Sequence, residues 1–135
     1  MKIEDVELVI IGSNEYAQTD TGCFFRSGLE QQIDDLAQHV RVCFHYSPKS
    51  THVFSGYQFS SRVVVRPFSI GHHESHRELW NRKKEYWNSI KTIYKNHPNA
   101  VFMVFFPDSY IGVLSVLYLK MVKAKFFVRV TANQL

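Results

Sequence analysis

Two cysteines, Cys23 and Cys43, are all that this 135-residue sequence contains, and neither belongs to a CxxC or other metal-ligand spacing. A disulfide framework is therefore not expected, and a reducing, cytoplasmic setting is the simplest one. Four prolines and six glycines leave no repeat, linker or low-complexity tract. Residues 101–119 are apolar enough for a membrane span, but Pro107 and Asp108 stand near their middle and argue against one. Glu4, Asp5 and Glu7 precede the first apolar run, which is wrong for a signal peptide. GxGxxG, the Walker A motif and HExxH are all missing, so neither a tight pyrophosphate turn nor a zincin site is indicated. No cofactor and no metal are expected.

Acidic residues are scarce after position 40. Residues 1–40 hold two basic and eight acidic residues, a net −6, whereas residues 41–135 hold fourteen and four, a net +10. One basic surface is expected, suited to anionic lipid, a phosphorylated ligand or nucleic acid; the competing reading is that the halves neutralise each other in the fold. No recognised DNA- or RNA-binding motif is present, so nucleic acid is not expected as a partner.

Hydrophobic residues make up 45% of the chain and aromatic residues 15%, enough for one folded domain over residues 1–135. The organising stretch is 101–130. Two Val- and Phe-rich runs, Val101–Phe106 and 126–130, flank a helical segment. Asp108 or Ser109 can cap that helix, and Lys120, Lys123 and Lys125 suit its carboxyl end. This reads as a β-α-β unit with a right-handed crossover.

The earlier chain adds three strands, at Glu7–Ile11, 42–46 and 62–68. Residues 12–22 read as a polar loop, with Thr19, Asp20 and Thr21 as caps of the next helix. Phe25, Leu29, Ile33, Leu36 and Val40 give that helix its stripe, with Glu30, Asp34 and Asp35 on the wet face. Residues 47–60 read as a long loop with room for a short irregular strand. Ser75 and Glu78 form a capping box before a helix striped by Leu79, Tyr86, Ile90 and Ile93 and widened by Trp80, Trp87 and Tyr94. The expected fold is α/β: a Rossmann-like, open, mainly parallel five-stranded sheet, strand order 3-2-1-4-5, with helices on both faces.

Ligands in such sheets bind outside the carboxyl ends of the strands, near the switch point between strands one and four. On that rim the substrate-binding candidates are Asn14, Thr21, Gly22, Asp108, Tyr110 and Asn133. Capping alone also explains Asp108. His72, His73 and His76 read as an exposed helix entrance with no third spaced ligand, and Cys23 as a small, partly buried residue. Lys83, Lys84 and Lys91 are candidates for contact with an anionic membrane surface; the bland alternative is a solvated helix face.

Two segments carry a resemblance. ELVIIGSNEYAQTDTGCFFRSGLEQQIDDLAQHVRVCFHY resembles the strand, glycine loop, helix and second strand that open the amino-terminal domain of GT-B glycosyltransferases of the family-four type. FFPDSYIGVLSVLYLKMVKAKFFVRVTANQ resembles a later strand-helix-strand segment of that domain. The resemblance implies an acceptor-binding domain, taking an acceptor glycan or lipid-linked sugar, peripheral to the inner face of a membrane. It also implies a partner domain or subunit that holds the sugar nucleotide, without which no transfer occurs. Where members of the family have paired glycines, this chain has Gly22 beside Thr21 and Cys23. Where many have a histidine, it has Asn133, so no residue is assigned as catalytic. The chain is then an isolated domain, a truncated product or one subunit of a split enzyme. The other reading is a stand-alone Rossmann- or flavodoxin-like small-molecule-binding module without catalysis. The apolar helix over 110–122 leaves almost no polar face, so a homodimer or partner contact is expected there.

Overall fold

A computed structural model describes residues 2–12, 15–25, 30–50, 54, 56–68, 76–106 and 110–130. Five strands form the main sheet: β1 (Glu7–Ile11), β4 (Val42–Ser47), β6 (Val63–Pro67), β7 (Val101–Phe106) and β8 (Lys125–Val130). Their order is β6-β4-β1-β7-β8, and every neighbouring pair is parallel. This is the expected doubly wound, Rossmann-like open sheet, with β1 at its centre.

Period-two alternation sorts β1 into two separate cores. Val9 and Ile11 join Phe102 and Val104 of β7 on one face. Over that face lie α3 (Lys83–Asn96), through Tyr86, Ile90 and Ile93, and α4 (Tyr110–Met121), through Ile111, Tyr118 and Leu119. Leu8 and Ile10 join Met103 and Phe105 on the other face, under α1 (Glu30–Ala37) and its Ile33 and Ala37. The right-handed crossover rule requires this split, because connections leave β1 in one direction and reach β7 and β8 in the other.

The polar loop expected over 12–22 is instead mostly sheet. Strands β2 (Tyr16–Thr19) and β3 (Gly22–Phe25) form an antiparallel hairpin, and β5 (Tyr57–Gln58) adds to β3. Thr19 therefore ends β2 and Asp20 and Thr21 make the turn; none is a helix cap. The Thr19 hydroxyl accepts from the Thr21 amide at 3.2 Å and contacts the Thr21 hydroxyl at 2.9 Å. Gly22 has φ +144, and a Cβ there would stand 2.2 Å from Gln58 Nε2, which donates to the Thr21 carbonyl. Phe25 fits a helical stripe and a strand alternation equally well, and pairing with Tyr16 decides for the strand. Phe25 therefore does not belong to α1; residues 26–29 lie outside the described residues.

The helix expected after Ser75 is α2 (His76–Asn81) followed by α3, with a kink between them. Arg82 leaves the helical region at φ −107, ψ 16, while its side chain pairs with Glu85 at 2.8 Å and Glu78 at 3.6 Å. Ser75 lies outside the described residues. α4 ends in a left-handed residue, Lys123 at φ 58. The Lys123 amide bonds to the Lys120 carbonyl and the Ala124 amide to the Leu119 carbonyl, the paired bonds of a Schellman stop. Chain direction then returns at once into β8.

The end of α3 is tied to the sheet by buried polar groups. His97 stacks on Phe44 at 4.6 Å between ring centroids. Its Nδ1 meets Glu7 Oε2 at 2.5 Å, and its Nε2 meets the Tyr46 hydroxyl at 2.8 Å. The loop after α3, β1 and β4 are thus locked by one imidazole.

Asp34 departs from its expected place on the wet face of α1. It is only 9% exposed and accepts three hydrogen bonds: from the Ser60 hydroxyl (2.6 Å), the Ser60 amide (3.0 Å) and the Tyr57 hydroxyl (2.8 Å). Arg62 completes the tie by donating to the Val40 carbonyl at 3.0 Å beyond the end of α1. Burial pushes the Asp34 carboxyl up, but the bonds from Ser60 and Tyr57 outweigh it and hold the carboxyl below its usual range. The same bond to Asp34 pushes the Tyr57 hydroxyl up to about 12.

Asp34→Asn is expected to cost about 1–3 kcal/mol at neutral pH, the scale of hydrogen bonds to a charged group. Because the folded-state pKa is depressed, the Asp34 contribution is full above the ordinary carboxyl range and is lost as pH falls through the folded value. Urea unfolding of both proteins should therefore show the gap closing in acid. A gap that stays constant down to acid pH would place the effect in packing, not in charge.

Candidate functional site

Strand β1 has β4 on one side and β7 on the other, with α1 and α4 on opposite faces. The crevice of a doubly wound sheet opens at this point, beyond the carboxyl ends of β1 and β7. Among the described residues its margin is Gly12 after β1, the end of β7 and the amino terminus of α4. Of the rim residues expected from sequence, Asn14, Asp108 and Asn133 lie outside the described residues, as do His72 and His73. Tyr110 opens α4 at the rim, and its side chain is not described. Thr21 and Gly22 form the tip of the β2–β3 hairpin.

The base of that hairpin is fastened beside the crevice. The Tyr16 amide donates to the Pro48 carbonyl at 3.1 Å, and the Ser50 amide donates back to the Tyr16 carbonyl at 2.8 Å. Beneath it, Phe25 packs edge-on against His45 (5.1 Å) and Phe59 (4.9 Å). Burial, with a smaller push from Cys23, raises the Tyr16 hydroxyl to about 12. Sequence reasoning read 12–22 as a polar loop and so missed this hairpin, which no clear apolar alternation announces.

His45 and Ser47 were also missed. Nδ1 of His45 lies 2.9 Å from the Ser47 hydroxyl, and both residues are sealed from solvent, at 1% and 0% exposure. A serine-histidine contact has the atoms of a nucleophile and base, but a nucleophile must reach its substrate. Sealed as it is, this pair is a packing element. Gly12 closes over it: a Cβ at position 12 would lie 3.0 Å from both His45 Cε1 and Ser47 Oγ. The glycine brings the β1 backbone down onto the β4 side chains at the edge of the crevice.

Neither cysteine is poised as a nucleophile. Cys23 sits on β3, not at a helix terminus, and its thiol donates to Gln18 Oε1 at 2.8 Å; burial raises its pKa against a small opposing pull from Lys49. Burial pushes the Cys43 thiol to about 12. Among the described residues no group of three or more His, Cys, Asp or Glu converges as metal ligands.

A second surface adjoins the rim. Helices in this fold run antiparallel to their strands, so α3 and α4 both begin at the crevice end. There Lys83, Lys84, Trp87, Asn88 and Leu114 line a hollow of about 320 Å³. Lys83 Nζ lies 3.8 Å from the Trp80 ring centroid, and that indole is 59% exposed. Lys91 is exposed two turns along α3 from Lys84, off the buried stripe of Tyr86, Ile90 and Ile93. On α4, Leu117 and Met121 are exposed as well. Lys83 and Lys84 thus border an apolar, aromatic strip made by Trp80, Trp87 and Leu114. Among the described residues no helix is long and apolar enough to cross a membrane.

The fold defines the class: a doubly wound, Rossmann-like α/β domain. No family model, curated protein or solved structure matches the chain.

Gly12→Ala is expected to destabilise the domain by about 1–3 kcal/mol, because its methyl must displace two sealed side chains. Ser47→Ala in the same chain removes one of the two obstructions and should recover part of the loss. Urea midpoints of the single and double variants measure this; additive losses would show that Gly12 and Ser47 do not compete for space.

Proposed function

We propose that this domain binds the acceptor of a sugar-nucleotide-dependent glycosyltransferase of the GT-B type, and that a separate domain or subunit holds the donor. The observation that carries the reading is the position of the basic, aromatic strip. It lies at the crevice end of α3 and α4, beside the cleft where a ligand of this fold is received. A lipid-linked sugar held at a bilayer would have its sugar at the cleft and its lipid in the leaflet next to Trp80, Lys83 and Lys84. The five-stranded order and the resemblance of the two end segments support the same reading. The exposed Leu117 and Met121 are then the surface that a partner domain or a second copy covers.

Titration of the ¹⁵N-labelled chain tests the ligand class. Short glycans such as maltose and chitobiose are expected to shift the Gly12 amide and the first-turn amides of α4, weakly and saturably, while UDP-glucose and flavin mononucleotide leave them in place. Saturable binding of either nucleotide at those amides, with none of the glycans, would overturn the proposal in favour of a stand-alone nucleotide-binding module. The chain alone should transfer no sugar from UDP-glucose to these acceptors.

Co-sedimentation with vesicles tests the membrane surface separately. Each lysine held near an anionic leaflet contributes on the order of 1 kcal/mol, and salt screens that gain. Phosphatidylglycerol vesicles should therefore retain the protein better than phosphatidylcholine vesicles, and less so as salt rises. Reversal of Lys83, Lys84 and Lys91 to Glu should lower retention by roughly tenfold or more without unfolding the domain. Equal retention on both lipids would leave the charge as a solvated helix face.

A further inference from the structure

A hollow of about 270 Å³ with a mixed polar and apolar lining lies between α3 and the edge strand β6, away from the β1–β7 crevice. Its lining includes Tyr46, Arg66, Pro67, Ser89, Thr92 and Asn96. Ser89, Thr92 and Asn96 recur along one flank of α3 beside its buried stripe, Ser89 buried and Thr92 and Asn96 exposed. The formal charge in this lining is Arg66. Its guanidinium lies 5.5 Å from the Phe44 ring centroid, and among the described residues no carboxylate pairs with it. The nearby carboxylate, Glu7, is engaged by His97 at 2.5 Å and Arg41 at 3.7 Å.

The hydrogen-bond polarity of the hollow narrows the ligand. Glu7 can only accept, so His97 Nδ1 donates to it; in that tautomer Nε2 accepts from the Tyr46 hydroxyl at 2.8 Å. Tyr46 has therefore spent its proton and offers lone pairs. Thr92 has likewise spent its proton on the Asn88 carbonyl at 2.9 Å. Arg66 and the Asn96 amide are the donors, and the hydroxyl oxygens are acceptors. A ligand that matches carries an oxyanion for Arg66 and hydroxyl groups for Thr92 and Tyr46. Phosphate fits better than carboxylate, since its third oxygen remains for Asn96 after two engage the guanidinium fork. The volume lies just under the range for drug-sized ligands and suits a small one.

We infer that the α3–β6 hollow is a binding site for a small hydroxylated phosphate, a polyol phosphate either free or as a lipid headgroup, anchored by Arg66 and oriented by Thr92 and Tyr46. It does not depend on the acceptor role of the crevice.

Glycerol 3-phosphate is the probe, titrated into the full ¹⁵N-labelled chain while the amides of Arg66, Thr92 and Asn96 are followed. Saturable shifts are expected, with none for glycerol. Inorganic phosphate should bind more weakly because it cannot supply the alcohol hydroxyls. Arg66→Gln should weaken glycerol 3-phosphate by roughly tenfold or more, with Arg66→Lys between the two. Thr92→Val should weaken glycerol 3-phosphate but not inorganic phosphate, which separates a ligand contact from a general loss of structure. Phosphatidylglycerol vesicles form the second arm. Shifts at these amides with vesicles alone, abolished by Arg66→Gln, assign the site to a headgroup; shifts with the soluble phosphate assign it to a free metabolite. Indifference to both forms, equal response to glycerol, or full affinity in Arg66→Gln would overturn the inference.

Discussion

Burial of β1 on both faces is the constraint from which the rest of the domain follows. A central parallel strand must bond to neighbours along both edges and hide both rows of side chains, because its peptide groups have no water to turn to. Leu8, Val9, Ile10 and Ile11 meet this demand with four consecutive apolar residues sent alternately into two cores. Helices must then lie on both sides, and the two directions of winding must part at β1. The crevice beside Gly12 is a by-product of that parting.

Inside this apolar frame, buried polar residues choose one arrangement from several that apolar packing alone would tolerate. His97 binds Glu7 and Tyr46 at once and so sets how α3 returns to the sheet. Asp34 does the same for the 57–60 segment, adding three hydrogen bonds to the core contacts of Phe59. Each is fully served by its partners, which is the condition under which a buried polar group rigidifies a core instead of weakening it.

What was legible in the sequence was what depends on neighbours along the chain. The five strands, their order and the apolar α4 follow from runs of Val, Phe, Ile and Leu and from crossover handedness. Phe25 was misassigned because one aromatic satisfies a period of 2 and a period of 3.6 equally, and only its pairing with Tyr16 breaks the tie. Asp34 looked solvated because carboxylates usually are; its partners Tyr57 and Ser60 lie more than twenty positions away. Glu7 and His97 are separated by ninety positions, and no local pattern announces such a pair. On the rim, glycine at position 12 was legible as a strand stop, but the two side chains beneath it were not.

The β1–β7 seam has a kinetic meaning too. β1 meets β4 and β7 meets β8 across modest stretches of chain, whereas β1 and β7 lie more than ninety positions apart (Leu8 pairs with Val101). Loop closure makes such a pairing slow relative to the local ones. The β1-β4-β6 half and the β7-α4-β8 half are thus the natural folding units, and their docking is the late event. The crevice opens on that seam. A ligand lodged there touches both halves, and so it acts as a staple across the joint by which the domain comes apart.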